Sequence, residues 1–271
     1  MPHKRATMTD RAPDDDGGSR GFRETLGRRE RVLDALATGP LDQRDLRDEL
    51  DVSRSTAYKS LRELEEAGLI RQADDGRYRL TQYGSLVHRR HSEYVARIER
   101  LEAARPFVEA LPEDLLVPLA FVERGQHVIA SPHAPERPLE RLDAESTVSH
   151  EYRVLSPIAV PRFLPDIHDR VERGDLAVEL LVESGAVEYL REYDRLDEAL
   201  LTEGFDLLRT DEPVDFGLFV DDDRAVAGLF AYGPQGGVLG MLLSDDADAY
   251  RWADRTCRRY RERAVPVEPR A

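Results

Sequence analysis

The stretch LDQRDLRDELDVSRSTAYKSLRELEEAGLIRQADDGRYRLT, residues 41–81, constrains the fold of this chain more than any other. Its punctuation sets the length of every element around it. Gly39-Pro40 ends a preceding helix, because glycine caps and proline cannot continue one. That first helix is expected from about Arg23 to Ala37, with Leu26, Val32, Leu33 and Leu36 on one side. Asp42 is placed to N-cap a second helix, from about Gln43 to Leu50. Asp51-Val52 makes a turn. Ser53 then caps a third helix reaching about Ala67, and Gly68 closes it. In that helix Ala57, Leu61 and Leu64 fall at steps of four and three, which defines one buried stripe. Two β-like runs follow, Leu69-Ile70-Arg71 and Arg77 to Leu80. Asp74-Asp75-Gly76 joins them, and Asp-Gly is a strong hairpin signal.

Three helices and a hairpin in this order resemble the winged helix-turn-helix of archaeal and MarR/ArsR-like regulators. The resemblance covers about sixty residues. It implies that the third helix enters the DNA major groove by its N-terminal end. With the stripe inward, Ser53, Arg54, Ser55, Tyr58, Lys59 and Arg62 are left for the outward face. Arginine donates two hydrogen bonds to a guanine edge, so Arg54 is the first candidate for base reading. Ser55 and Tyr58 suit bases or phosphates. Lys59 and Arg62, one turn on, suit phosphate. Arg44 opens the second helix, where backbone amides also meet phosphate. On the wing, Arg77 and Arg79 alternate with Tyr78 and Leu80, so the two arginines share one face. They are expected on DNA.

A DNA-binding reading must face the charge. The 271 residues carry 39 basic and 54 acidic groups, a net −15. The excess is segregated. Arg20 to His91 holds 15 basic and 13 acidic residues, a net +2, and the remainder carries −17. Only Lys4 and Lys59 are lysines. An acid-rich, lysine-poor chain resembles haloarchaeal proteins, whose charged surfaces keep them soluble in salt. No apolar run approaches the ~20 residues of a membrane span, and MPHKRATMTD lacks the apolar core of a secretory signal. A cytoplasmic protein with no membrane partner is expected. The lone Cys257 is read as a small packing residue on a helix.

The expected fold class is an α+β multidomain chain. Residues 1–21, with RAPDDDGGSRG, read as a disordered tail. The winged helix takes 22–84. A linker helix takes 85–112, with Val87, His91, Tyr94, Ile98, Leu101 and Val108 on a narrow coiled-coil-like seam suited to dimerisation or to packing within the chain. Arg105-Pro106 is expected to break it. A mixed α/β domain takes 113–266. Its expected strands are 127–131, 152–156, 176–182, 215–220, 224–232 and 238–243, the last three as an antiparallel meander. Its expected helices are 167–173, 186–202 and 247–263. Trp252, Tyr250 and Tyr260 are expected to pack the last helix on the sheet.

Little in this second domain specifies chemistry. His127, His133, His150 and His168 lie too far apart for a short-spaced metal set. No GxSxG, Walker loop or dinucleotide fingerprint occurs, and GPQGG at 233–237 reads as a hairpin turn. Asp221-Asp222-Asp223 reads as a solvated turn. No catalytic residue, metal or cofactor is therefore expected. SPHAPERPL, YRVLSPIAVP, FGLFVDDDRAVAGLFAYGPQGGVLGMLLSDD and YRWADRTCRRYRERAVPV resemble the middle domain of the archaeal methanogenesis-regulator family. That resemblance implies a sensor domain distantly similar to phospholipase D-like and archaeal sugar-regulator domains. Phospholipase D chemistry needs a histidine and a lysine two apart, and this domain has no lysine. For an effector, polar residues at strand ends are the natural lining. His133, Arg153 and Ser156 are the candidates, Arg153 for a carboxylate or phosphate.

The chain is thus expected to be a DNA-binding transcriptional regulator, a homodimer on double-stranded DNA with a small-molecule effector or protein partner. A winged helix used for protein binding is the alternative. A DNA-tethered hydrolase stands third.

Overall fold

The computed structural model describes residues 16–234 and 236–270. Residues 1–15 of the expected tail lie outside them. Residues 16–21 are not a tail, because α1 begins at Asp16 and runs to Thr38. The described residues divide into two compact units, the first ending at Arg97 and the second beginning at Ile98.

In the first unit α1 is followed by α2 (Gln43–Leu50), α3 (Arg54–Glu66) and a hairpin of β1 (Ile70–Gln72) and β2 (Tyr78–Leu80). The caps are those expected. The Asp42 carboxylate accepts from the Arg44 and Asp45 amides, and Asp45 reciprocates to complete a capping box. Asp51 turns the chain in the left-handed region at φ 51°. Ser53 accepts from the Thr56 amide at 3.2 Å. Leu33, Leu46, Ala57, Leu64 and Leu69 are fully buried at the centre of this unit. Leu41 pairs with Tyr78 through two backbone hydrogen bonds, so the wing gains a third strand at one point.

The helix α4 (Gln82–Val108) leaves the wing through a tight junction. Thr81 donates from its hydroxyl to the Gly68 carbonyl at 2.7 Å and accepts from the Gly84 amide at 2.8 Å. A Cβ on Gly84 would lie 1.8 Å from the Leu69 carbonyl oxygen, so only glycine lets the helix start here. Pro106 does not break α4 as expected. It sits inside the last turn, so the helix ends two residues beyond it. Of the expected seam Val87, His91 and Leu101 are half-buried and Tyr94, Ile98 and Val108 are exposed, whereas Ala104 and Phe107, off the seam, are buried.

The second unit is a three-layer α/β/α sandwich on an eight-stranded sheet. In chain order it holds α5 (Leu119–Glu123), β3 (Gln126–Ile129), α6 (Arg137–Thr147), β4 (Glu151–Ser156), a 3-10 turn (Pro161–Phe163), α7 (Leu164–Glu172) and β5 (Ala177–Glu183). Then come α8 (Ser184–Leu190), α9 (Leu196–Ala199), β6 (Phe205–Thr210), β7 (Gly217–Asp221), β8 (Val226–Tyr232), β9 (Val238–Ser244), α10 (Ala247–Arg261) and β10 (Val265–Pro266). Strand order is β10-β6-β5-β4-β7-β8-β9-β3. β4, β5 and β6 are parallel, joined by helical crossovers, and β7-β8-β9 form the expected antiparallel meander. Alternate residues serve alternate faces. Leu155, Leu181, Leu218, Leu229 and Leu242 pack beneath α5 and α10. Tyr152, Val178, Leu180, Phe219 and Met241 pack beneath α7 and α8. Strands buried on both faces read as near-continuous apolar runs. The expected helix at 186–202 is broken into α8 and α9. No helix among the described residues is long and apolar enough to cross a membrane.

Candidate nucleic-acid interface

The buried stripe of α3 determines what its other side presents. Ala57, Leu61 and Leu64 face the core, and Arg54, Ser55, Tyr58, Lys59 and Arg62 are exposed. Tyr58 is 58% exposed. Gln43 at the start of α2 donates to the Arg54 carbonyl at 3.4 Å, which ties the N-termini of α2 and α3. The Arg54 guanidinium has no ion pair among the described residues, so it is available to a ligand.

The other basic groups are not equally available. Arg62 donates to Glu66 at 2.7 Å, and this hydrogen bond raises its pKa further. Lys59 lies 3.9 Å from Glu63, whose carboxylate is held below its usual range chiefly by the Arg29 hydrogen bond. Arg44 lies 3.9 Å from Asp48, with its side chain 84% exposed. Such exposed pairs are weak, and a phosphate can displace them. Ser53 caps α3 as expected and is exposed: its hydroxyl accepts from the Thr56 amide and lies 2.9 Å from both Ser55 and Thr56 hydroxyls. On the wing Arg77 is exposed and has no ion pair among the described residues. Arg79 is not, because it donates to Asp75 at 2.7 Å across the turn, and its Nε is buried without a partner. The expected equivalence of Arg77 and Arg79 therefore fails. Tyr78 and Leu80 turn to the core as expected. Arg71, unpaired and exposed on β1, was not among the expected contacts. It sits opposite Arg79 in the hairpin, and register was the signal that could have found it.

The three effector candidates are not brought together. His133 is exposed in a loop closed by the Ser131 and Ala134 backbones. Arg153 projects to the α10 face, where it donates to Asp222 at 2.8 and 2.5 Å and to Asp254 at 2.7 Å. Its charge is already neutralised, so it is corrected from anion ligand to structural ion pair. The Asp222 carboxylate also accepts from the Tyr250 hydroxyl at 2.8 Å. Asp221 is fully buried on Arg224, and Asp223 accepts from the His150 amide at 2.8 Å. Of the three aspartates Asp221 is buried, Asp222 half-buried and Asp223 exposed, so the expected solvated turn holds only at its tip. Ser156, on the opposite face from Arg153, does line an internal cavity. Trp252 packs edge-on against Phe121 with centroids 5.8 Å apart, and Tyr260 against Phe216, as expected for α10. Burial pushes the Cys257 thiol up to about 12, which leaves it a packing group. Among the described residues no cluster of three or more His, Cys, Asp or Glu could hold a metal ion.

Residues 21–103 match the family model described as the HVO_A0261 N-terminal domain. Residues 135–263 match that of the methanogenesis regulatory protein FilR1, middle domain. The chain carries both domains. The HVO_A0261-type domain thus includes α1 and most of α4 with the three helices and wing, and the FilR1-type domain begins just before α6. Among solved structures the chain is similar to TrmBL2, described as an archaeal chromatin protein, at 18% identity over 92% of this chain and 99% of that one, with TM-score 0.43. It is also similar to Nuc, a phospholipase D family member from Salmonella typhimurium, at 8% identity over 54% and 99%, with TM-score 0.41. A third is IclR of Thermotoga maritima, at 13% identity over 89% and 97%, with TM-score 0.21. None is close enough for its activity to bear on this chain. The comparison with curated proteins found no match.

Proposed function

We propose that the chain is a DNA-binding transcriptional regulator whose FilR1-type domain senses an effector. One observation carries the reading. α3 buries Ala57, Leu61 and Leu64 and leaves Arg54, Ser55 and Tyr58 exposed at its N-terminal end, with Arg54 uncommitted. That is the end of a recognition helix that meets base edges. Arg77 and Arg71 on the wing add two free cations for phosphate. The family description of the second domain names a regulatory protein, which supports a regulatory use of the whole.

The chain works as a homodimer, because one winged helix reads few bases and paired half-sites supply affinity. Tyr83, Leu86, Tyr94 and Ile98 are exposed apolar side chains on α4 and suit a helix-to-helix contact between copies. It acts in the cytoplasm, in high salt. Near 1 M salt the Debye length falls to about 3 Å, so the acidic FilR1-type domain scarcely repels DNA. The same salt removes most of the counterion-release gain. Recognition then rests on short-range fit at Arg54, Ser55 and Tyr58. We assign no catalytic step: Ser92 Oγ lies 3.3 Å from His88 Nε2, but that nitrogen is taken by Asp34 at 2.7 Å and the hydroxyl donates to the His88 carbonyl at 3.0 Å.

A mobility-shift assay on the chain's own upstream region tests this. Arg54→Ala is expected to weaken the specific shift, by about 1–3 kcal/mol in affinity. An unchanged shift would leave α3 with no reading role and favour a protein partner for this face.

A further inference from the structure

The face of the sheet opposite Arg153 holds an internal cavity of about 90 Å³. Val154 and Ser156 of β4, and Leu180 and Val182 of β5, form its floor at the C-terminal halves of two adjacent parallel strands. In α/β sheets this is where ligands bind. α6, α7 and the irregular segment 157–163 form its roof, where Ile158, Val160 and Phe163 are half-buried and adjoin solvent.

The lining defines what can enter. It holds no Lys, Arg or His, and its one carboxylate, Asp143, is exposed. A buried charge would find no partner there and would be costly. The wall is otherwise hydrocarbon with four hydroxyls, those of Ser146, Tyr152, Ser156 and Tyr232, and the Ser146 hydroxyl is engaged on the Asp143 carbonyl at 2.9 Å. The Ser156 hydroxyl is engaged locally, donating to the Ile158 carbonyl at 2.8 Å and accepting from its amide at 3.2 Å. The Tyr232 hydroxyl has only Ser156, at 3.5 Å, and so retains capacity for a better partner. Burial raises its pKa to about 12, so it keeps its proton at neutral pH. Gly217 makes room for it: a Cβ there would lie 2.5 Å from that hydroxyl. A largely apolar cavity of this kind accepts small rings.

We propose that this cavity binds a small uncharged molecule, a single ring or a short branched hydrocarbon bearing one hydroxyl or carbonyl, with that group on the Tyr232 hydroxyl. The site deepens the sensing reading above and rests on it for its regulatory meaning. Its rim adjoins the C-terminal end of α4. Ile158 and Tyr232 also line an open cleft with Pro106, Glu109 and Ala110. Those residues lie at and just beyond the end of α4, which runs unbroken from Gln82. A ligand that shifts Ile158 or Tyr232 therefore acts on the end of the helix that begins beside the wing.

Phenol, benzene and benzoate titrated into the full chain, followed by ligand-observed NMR, test the site. Phenol and benzene are expected to bind, phenol roughly fivefold tighter through one hydrogen bond, and benzoate not at all. Tyr232→Phe is expected to bring phenol to the level of benzene and leave benzene unchanged. Ile158→Trp, which fills the cavity from its rim, is expected to abolish both. Should that variant misfold, the Tyr232→Phe comparison still decides. Benzoate binding as tightly as phenol, equal affinity for phenol and benzene, or phenol binding indifferent to Tyr232→Phe would overturn the proposal. Binding in the expected pattern with unchanged affinity for DNA would uphold the cavity and remove the sensing role.

Discussion

Three arginines of each unit stand in opposite surroundings. In the winged helix Arg54, Arg71 and Arg77 stand exposed with no ion pair among the described residues. In the FilR1-type domain the side chains of Arg153, Arg170 and Arg224 are all committed. Arg153 holds Asp222 and Asp254, Arg170 donates to the Ser146 and Ser149 carbonyls, and Arg224 joins Asp221 to Glu145. The same guanidinium serves as an outward reading group in one unit and as an internal tie in the other. Composition cannot tell them apart, and partners can. An arginine whose fork is filled by carboxylates within its own domain is structural, and one left empty on a helix N-terminus is available to a ligand.

Mutations should split along this line. The largest effect is expected for Arg153→Ala, which leaves two mostly buried carboxylates facing each other. Stripping one partner from such a cluster costs about 3–5 kcal/mol. The check is denaturant unfolding, with a marked fall in midpoint expected. Arg54→Ala should do the reverse, leaving stability within about 0.5 kcal/mol of wild type. It should weaken binding to a cognate duplex by about 1–3 kcal/mol and relax preference at one base pair, measured by fluorescence anisotropy. Ser53→Ala sharpens the comparison, since Ser53 is a cap inside the reading surface. It should destabilise the chain by about 1 kcal/mol, read by thermal melting, before it affects any base preference. Arg77→Ala is the mildest, reducing the salt slope of binding by about one unit with no change in sequence preference.

Acid should also find the difference. Burial opposes ionisation of Asp254, and the hydrogen bonds from Arg258 and Arg153 outweigh it, so its folded pKa lies below the ordinary carboxylate value. A carboxyl depressed on folding stabilises fully above its unfolded pKa, about 3.9, and loses that contribution as pH falls through the folded value. The FilR1-type domain should therefore lose stability below about pH 4, and Arg153→Ala should shift that loss toward higher pH. A pH series of melting curves checks both.

The winged helix was legible because its signals are local. Gly39-Pro40, Asp42, Ser53 and Gly68 each mark an end within a turn of where it falls, and Ala57, Leu61 and Leu64 show the buried side directly. The second domain was legible in its strands and not in its ties. Its central strands are apolar on both faces, so LAVELLV and VLGMLL stood out. FDLLRT, which forms β6, is half polar and was passed over. α6 was missed although Pro138 near its start and the Leu139–Leu142 spacing mark it. The break between α8 and α9 at 191–195 carries no glycine or proline, so the two read as one helix. The partners of Arg153 lie 69 and 101 residues away, and nothing in the sequence near Arg153 points to them. Ser156 was found as a strand end, but Tyr232, which shares its cavity, needed the sheet order to bring β8 near β4.

The central claim is that the N-terminal end of α3 reads DNA through Arg54. Selection of duplexes from a random pool by the full chain in high salt, run beside Arg54→Ala, tests it most directly. The account predicts an enriched motif containing a guanine whose preference Arg54→Ala loses, while overall folding is kept. Enrichment of the same motif to the same degree by both chains, or no enrichment by either, would contradict it.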